Sequence, residues 1–130
     1  MLTQLFISAL MLVESGGNAG AIGDGGRALG CLQIHVCVID DVNNRLRRSG
    51  YAGQAVFKHT DALDPVKAAK ICRLYIEAYA PPNASLETCA RIWNGGPDGH
   101  RKKSTLKYWQ KVEAKYHELA EARKTLQARK

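Results

Sequence analysis

The sequence has no long apolar run, no repeat and no low-complexity segment, and each absence excludes a class of protein. No apolar stretch reaches the roughly 18 residues that suggest a membrane span, so we expect none. Twelve glycines and four prolines among 130 residues are too few for a fibrous or disordered chain. The composition, 45% hydrophobic and 24% charged, is that of an ordinary globular protein. The length predicts one domain over residues 1–130, with one core.

Acidic residues are also scarce, since 12 Asp and Glu face 19 Lys and Arg and leave a net charge of +7. Such a charge favours a polyanionic partner: a nucleic acid, an anionic lipid surface or an acidic cell-wall polymer. The basic run at 100–103 and the basic C-terminal end lack the interleaved aromatic residues and the recognition helix typical of nucleic-acid binding. We therefore expect no nucleic-acid partner, and interpret these residues as a solvated face or one attracted to wall polymers.

Two features bear on the cellular compartment without fixing it. The apolar stretch 5–13 lacks a basic leader and runs directly into Glu14 instead of a small-residue cleavage site, so we interpret it as a structural helix. No signal peptide is visible, and the localisation stays open. The four cysteines allow three disulfide pairings in an oxidising compartment and four thiols in a reducing one: Cys31, Cys37, Cys72 and Cys89.

Gly, Pro and Asn residues divide the chain into segments that predict a mainly α fold with at most a small hairpin. Thr3 can cap a helix over about 4–14, whose apolar residues on all sides predict burial. The glycine-rich stretch 18–30 is too irregular for a helix and suits tight turns or a hairpin. Further helices are expected over 36–48, from 65 to Pro81, over 85–93 and over 105–129. The inner face of the last helix is predicted to comprise Leu106, Trp109, Val112, Tyr116, Leu119 and Leu126.

Glu14 is the most informative residue of the sequence. A carboxylate at the end of a buried apolar helix costs free energy, and the negative C-terminal end of the helix disfavours its charge further. Both effects raise the pKa, and a carboxyl that stays protonated near neutral pH can donate a proton to a leaving oxygen. The alternative is a solvated Glu at a helix end, which is common at protein surfaces.

The residues after Glu14 carry a family resemblance. Glu14-Ser15, followed by the segment GDGGRALGCLQI at 23–34, resembles the lysozyme-like families of goose-type lysozymes and Slt-type lytic transglycosylases. The segment IWNGGP at 92–97 resembles their Ala-Tyr-Asn-Ala-Gly block, and TLKYWQKV at 105–112 resembles their Thr-x-x-Tyr-x-x-x-Val block. The resemblance covers about residues 4–116. It departs from the family pattern at Cys31, which replaces Leu, at Trp93, which replaces Tyr, and near Asn18, where a Pro is missing.

The resemblance implies a lysozyme-like fold and cleavage of the β-1,4 bond between N-acetylmuramic acid and N-acetylglucosamine in peptidoglycan. It implies that Glu14 is the catalytic acid, that Gln33 and Asn94 line the sugar groove, and that Ser15 supports the site and contributes to substrate binding. It also implies that Tyr108 hydrogen-bonds near Glu14 and orients it. No metal and no organic cofactor is implied, and the expected partner is the peptidoglycan glycan strand.

Two reaction types fit the resemblance. In a lytic transglycosylase, the muramoyl 6-hydroxyl attacks its own anomeric carbon, and Glu14 serves as acid and then as base. In a hydrolase, a second carboxylate activates water, and Asp24 within Gly23-Asp24-Gly25 is the candidate. An Asp beside Gly can instead close a turn by bonding its own backbone. A second acidic position of the goose type falls on His35. We favour the transglycosylase, with the hydrolase as the alternative and a non-catalytic peptidoglycan- or nucleic-acid-binding domain as a third possibility.

The remaining candidates are less specific. The segment 23–28 formally fits a dinucleotide-binding fingerprint, but a helix precedes it where that motif needs a strand. Cys31, His35 and Cys37 could ligate zinc with a further Cys, yet the paired spacing of structural sites is missing, so we expect disulfides or buried thiols. Trp93, beside the sugar-groove Asn, is the aromatic residue that we expect to face the sugar. We expect a monomer that acts at the bacterial cell wall, in the periplasm, outside the cell or as part of a virion.

Overall fold

The structure, a computed structural model, describes residues 2–50 and 57–129 and is mainly α, as predicted. A small antiparallel hairpin is formed by β1 (Ile22–Gly23) and β2 (Ala28–Leu29), with Ile22 opposite Leu29. In the described residues, no helix is both long enough and apolar enough to cross a membrane. The α-helices of this part of the chain are α1 (Gln4–Ser15), α2 (Val36–Arg48), α3 (Pro65–Tyr79), α4 (Leu86–Gly95) and α5 (Leu106–Ala128).

Side-chain caps define where the helices begin and end. The Thr3 hydroxyl accepts the Phe6 N–H at 3.2 Å and caps α1, and Gly16 ends it in a left-handed conformation with φ of +67°. Asp64 caps α3 by accepting from the first turn of the helix, with Pro65 as the first helical residue. Ser85 caps α4 in the same way. These local signals explain why the predicted boundaries lie close to the observed ones.

Helix α1 lies inside the core, which places its last turn at the edge of that core. Phe6, Ile7 and Leu10 are fully buried, and α1 packs along α5. The chain after the hairpin adds Leu32 and Ile34 to the same core. A residue at the end of α1 therefore sits next to apolar side chains on one side and close to open space on the other.

The prediction of one inner face along the whole of α5 is wrong in part. Val112 is buried, whereas Leu106 is 44% exposed and Leu126 is 63% exposed. The reason is length, because a 23-residue helix extends about 35 Å while the 12-residue α1 that packs along it extends about 18 Å. The distal turns of α5, which carry Leu126, therefore extend beyond the core, and periodicity alone does not reveal where a partner ends. The exposure of Leu106, the first residue of α5, is not explained by this length.

The four cysteines are free thiols in this structure. Cys31, Cys72 and Cys89 are buried, and Cys37 is exposed. Of the two expectations, disulfides or buried thiols, the second describes three of the four residues. Burial raises the pKa of the Cys31, Cys72 and Cys89 thiols, which keeps them protonated and unreactive.

Candidate active site

A cleft of about 420 Å³ opens between two walls. One wall comprises the hairpin and the start of α2, and the other comprises the end of α4 with part of α3. The residues that carry its chemistry are Glu14, Gln33, His35, Tyr75, Trp93 and Asn94. The cleft therefore brings together four separate segments of the chain: the end of α1, the hairpin with the start of α2, α3, and the end of α4.

Glu14 lies in the last turn of α1, partly buried, with its carboxyl group at the cleft. Burial raises the pKa of Glu14 from 4.5 to about 7, against hydrogen bonds from Tyr108 and, to a smaller extent, from Trp93 that lower it. A carboxyl group with a pKa near 7 is protonated in a large fraction of molecules at neutral pH. It can therefore donate a proton at the pH where most proteins work.

Tyr108 contacts Glu14 from α5, behind the cleft. Its hydroxyl group donates a hydrogen bond to Glu14 Oε2 at 3.0 Å, across 94 positions of sequence. Burial and the neighbouring Glu14 carboxyl group raise the pKa of Tyr108 well above its ordinary value, so the phenol keeps its proton and remains a donor. Tyr108 is not among the described residues that line the cleft, and it can orient the Glu14 carboxyl group without occupying substrate space.

Gln33 lines the cleft and also stabilises the hairpin through hydrogen bonds of its side chain. Its Nε2 donates to the Gly30 carbonyl at 2.9 Å and to the Ala21 carbonyl at 3.3 Å. Gln33 itself has a φ of +51°, an uncommon conformation for a residue with a side chain. A Cβ atom at Gly23 would overlap Gln33 Oε1, so the close approach of this amide requires glycine at position 23.

Ser15 also ties elements together. Its hydroxyl group donates to the Cys31 carbonyl at 2.8 Å, which links the end of α1 to the loop before Gln33. Ser15 is not among the described residues that line the cleft. The expectation that it supports the site agrees with this position, whereas its contact with substrate stays a prediction.

Trp93 and Asn94 form the opposite wall at the end of α4. Trp93 is 9% exposed and packs edge-on against Tyr75, with ring centroids 5.7 Å apart. Asn94 is exposed at the rim. An apolar aromatic edge beside an exposed amide is a surface that suits a sugar ring, whose faces are apolar and whose edges carry hydroxyl groups.

Asp24 lies outside the cleft, on the turn of the hairpin. Its side chain is 57% exposed, and Oδ2 is 3.4 Å from Nε2 of His35, which does line the cleft. Among the described residues, Glu14 is the only carboxylate at the cleft, and no group of three His, Cys, Asp or Glu side chains is placed to hold a metal ion. The hydrolase candidate Asp24 thus reaches the cleft only through His35.

Two residues of the cleft, His35 and Tyr75, have only weak signals in the sequence. In the sequence, His35 stands at an acidic position of the family pattern and close to two cysteines, and its pairing with Asp24 depends on how the hairpin turns back. Tyr75 lies on α3 among core residues and is 7% exposed, so helical periodicity does not distinguish it from the core. Both residues are brought to the cleft by tertiary packing that a local pattern does not encode.

Comparisons with known proteins relate this fold to lysozymes. A segment of 54 residues is 44% identical to a lysozyme of Magallana gigas; it covers 39% of this chain and 39% of that protein. A chain in the crystal structure of Aeromonas hydrophila PliI in complex with Meretrix lusoria lysozyme matches with a TM-score of 0.69 and 27% identity, over 87% of this chain and 89% of that one. No family model matches the chain. The fold is lysozyme-related, and a narrower goose-type or Slt-type assignment stays a prediction.

Proposed function

We propose that this protein cleaves the β-1,4 glycosidic bond between N-acetylmuramic acid and N-acetylglucosamine in peptidoglycan, with Glu14 as the general acid. The observation that carries the proposal is the Glu14 carboxyl group, which lies at an open cleft, is held by Tyr108 and has a pKa of about 7. Breaking a glycosidic bond requires a proton on the leaving oxygen while positive charge develops at the anomeric carbon. The similarity to lysozymes supports the same substrate class.

The reaction type we favour is lytic transglycosylation. Glu14 donates its proton to the bridging oxygen, and the bond from that oxygen to the anomeric carbon breaks. The muramoyl 6-hydroxyl oxygen then attacks the anomeric carbon and gives its proton to the Glu14 carboxylate, which leaves a 1,6-anhydro end. One carboxylate suffices for this sequence, which agrees with Glu14 as the only carboxylate among the described residues of the cleft. The Tyr108 hydroxyl group stabilises the carboxylate between the two proton transfers.

A lysozyme-type hydrolase is the second candidate, and two observations favour it. The relatives reported above are described as lysozymes or as a complex that contains one. Asp24 also approaches the cleft through its 3.4 Å contact with His35. In this reaction Asp24 activates a water molecule, and the product carries a reducing end instead of an anhydro end.

Mass spectrometry of the fragments released from purified peptidoglycan tests both candidates. Anhydro ends are expected from the transglycosylase, and reducing ends from the hydrolase. Loss of both in Glu14→Gln would assign the acid, whereas release that survives this substitution would overturn the assignment.

If the wild-type protein releases no fragments, the proposal that it is an enzyme is wrong. Co-sedimentation with insoluble peptidoglycan would then identify a non-catalytic binding domain. Because the solved complex pairs a lysozyme with another protein, slowed activity of an added lysozyme would identify a lysozyme-binding protein instead.

A further inference from the structure

We propose that His35, positioned by Asp24, is a second catalytic residue of the cleft, one that accepts a proton from an attacking water molecule. The enzyme would then release reducing ends by hydrolysis in addition to the anhydro ends that Glu14 alone can form. This inference rests on the proposed cleavage of the glycosidic bond. It assigns the contact with water to His35 and gives Asp24 the role of a positioning residue.

The backbone around His35 is firmly placed. Ile34 is fully buried, and it pairs with Leu29 through two backbone hydrogen bonds of 2.9 Å and 3.1 Å. His35 follows at once as the residue before α2, in an extended conformation. Its side chain lines the same cleft as Glu14 and is 41% exposed. The imidazole ring is therefore attached to a rigid part of the fold and open to substrate and water.

Asp24 pairs with this ring instead of closing its own turn. In the described residues, its carboxylate makes no hydrogen bond to the backbone of the turn, and its partner is His35 Nε2 at 3.4 Å. Asp24, Gly25 and Gly26 all have positive φ values, of +50°, +64° and +92°. A side chain in this region costs about 1 kcal/mol relative to glycine. The conformation of the turn therefore does not favour Asp over glycine, and the contact that the Asp24 carboxylate makes is with His35.

A carboxylate at one ring nitrogen prepares the other nitrogen to act as a base. With Nε2 protonated and facing Asp24, the Nδ1 atom of neutral His35 carries a free lone pair. After Glu14 has protonated the leaving oxygen and its bond to the anomeric carbon has broken, a water oxygen bonds to that carbon. The water proton moves to Nδ1, and the imidazolium is stabilised by the Asp24 carboxylate. Proton exchange through solvent then returns one proton from His35 to Glu14, which restores both groups. The net reaction adds one water molecule across the glycosidic bond.

Water has its own approach to His35. A second depression of about 420 Å³ is lined by Arg27 and His59, and His35 and Cys37 line both this depression and the cleft. A glycan strand that fills the cleft would leave this depression open. Water can therefore reach the imidazole while substrate is bound.

The test is the ratio of reducing to anhydro ends released from purified peptidoglycan, measured by mass spectrometry. Wild-type protein is expected to give both. His35→Gln and Asp24→Asn are each expected to lower the reducing share at least about tenfold, while anhydro ends are still released. The matched control is His117→Gln, because His117 is exposed on α5, away from the cleft, and its ratio should equal that of the wild type.

A rescue experiment separates catalysis from structure. His35→Ala should regain reducing ends when free imidazole is added, which a purely structural role of His35 would not produce. A wild type that gives only anhydro ends, or an unchanged ratio in His35→Gln, would overturn the inference and leave the proposed cleavage standing. A wild type that gives only reducing ends supports the inference if His35→Gln slows their release at least tenfold and contradicts it otherwise. No ends of either kind would mean that the proposed function itself has failed.

Discussion

Glu14 and Asp24 approach one cleft from opposite structural settings. Glu14 lies in the last turn of a helix that packs in the core, and it is hydrogen-bonded to a partly buried tyrosine. Asp24 lies on a glycine-rich turn, with its side chain 57% exposed and its backbone in a left-handed conformation. Burial lets Glu14 hold a proton near neutral pH. Exposure leaves Asp24 suited to orienting a neighbour, so the element that carries a carboxyl group decides which task it can perform.

The largest expected difference between the two is in catalysis. Glu14→Gln keeps the shape of the side chain and removes the proton donor, so cleavage of peptidoglycan should fall at least about 100-fold. Asp24→Asn should still release anhydro ends, because Glu14 and its contact with Tyr108 are intact. Zymography on purified cell walls, with fragments quantified from the same digests, measures both variants. An equal loss of total peptidoglycan cleavage in Glu14→Gln and Asp24→Asn would contradict the assignment of different roles to Glu14 and Asp24.

A second difference concerns stability. The pKa of Glu14 is 4.5 in the unfolded chain and about 7 in the folded one, so this group reduces the free energy of unfolding as pH rises from 4.5 to 7. The loss amounts to about 3 kcal/mol above pH 7 and vanishes below pH 4.5. Glu14→Gln should therefore be more stable than the wild type at pH 8, by an amount that shrinks toward pH 4.

Urea unfolding at pH 4 and pH 8 measures this effect. The matched control is Glu113→Gln, since Glu113 is exposed on α5, and its effect should stay within about 0.5 kcal/mol at both pH values. A stability difference between Glu14→Gln and the wild type that is the same at both pH values would show that burial does not hold the proton.

Removing the partner of Glu14 should have a smaller effect. The hydrogen bond from Tyr108 lowers the pKa of Glu14, so Tyr108→Phe should raise that pKa further above 7. Because the acid works only when protonated, the alkaline side of the pH–rate profile should move to higher pH by less than about one unit. Turbidity loss of cell-wall suspensions from pH 5 to pH 9 measures the profile. A shift to lower pH would mean that Tyr108 acts on Glu14 in another way.

The smallest effect concerns the turn that carries Asp24. Asp24→Gly removes the backbone strain of a side chain at a φ of +50°. It also removes an exposed ion pair, which is worth about 0–1 kcal/mol. The free energy of unfolding should stay the same or rise by up to about 1 kcal/mol. The share of reducing ends should fall nonetheless. A destabilisation greater than 1 kcal/mol in urea unfolding would assign Asp24 to the structure of the hairpin.

Local chemistry explains most of what could be predicted about the fold. Thr3, Asp64 and Ser85 are capping residues followed by apolar segments, so the starts of three helices are evident before any tertiary contact is known. The distal part of α5 was mispredicted because the exposure of Leu126 depends on the length of a neighbouring helix, not on the spacing of apolar residues.

Long-range contacts mark the limit of prediction at the site. Glu14 is unusual because it places a carboxyl group in the last turn of an apolar helix, and this is visible in the sequence itself. Its contact with Tyr108, 94 positions away, was expected only through a family resemblance. The pairing of Asp24 with His35 depends on backbone conformations at the turn and at Gln33 that few residue types adopt. Sequence patterns predict such conformations poorly, because tertiary contacts stabilise them.

The packing of α1 against α5 means that Glu14 and its hydrogen-bond donor come from the first and the last of the described helices. A ribosome that has translated the chain only as far as residue 100 has produced Glu14 but not Tyr108, which donates the hydrogen bond to it. The complete pair therefore forms only when α5 has emerged and docked. Assembly of this pair is thus a late event in the synthesis of this part of the chain, and a chain that stops before α5 should lack the hydrogen bond that orients Glu14.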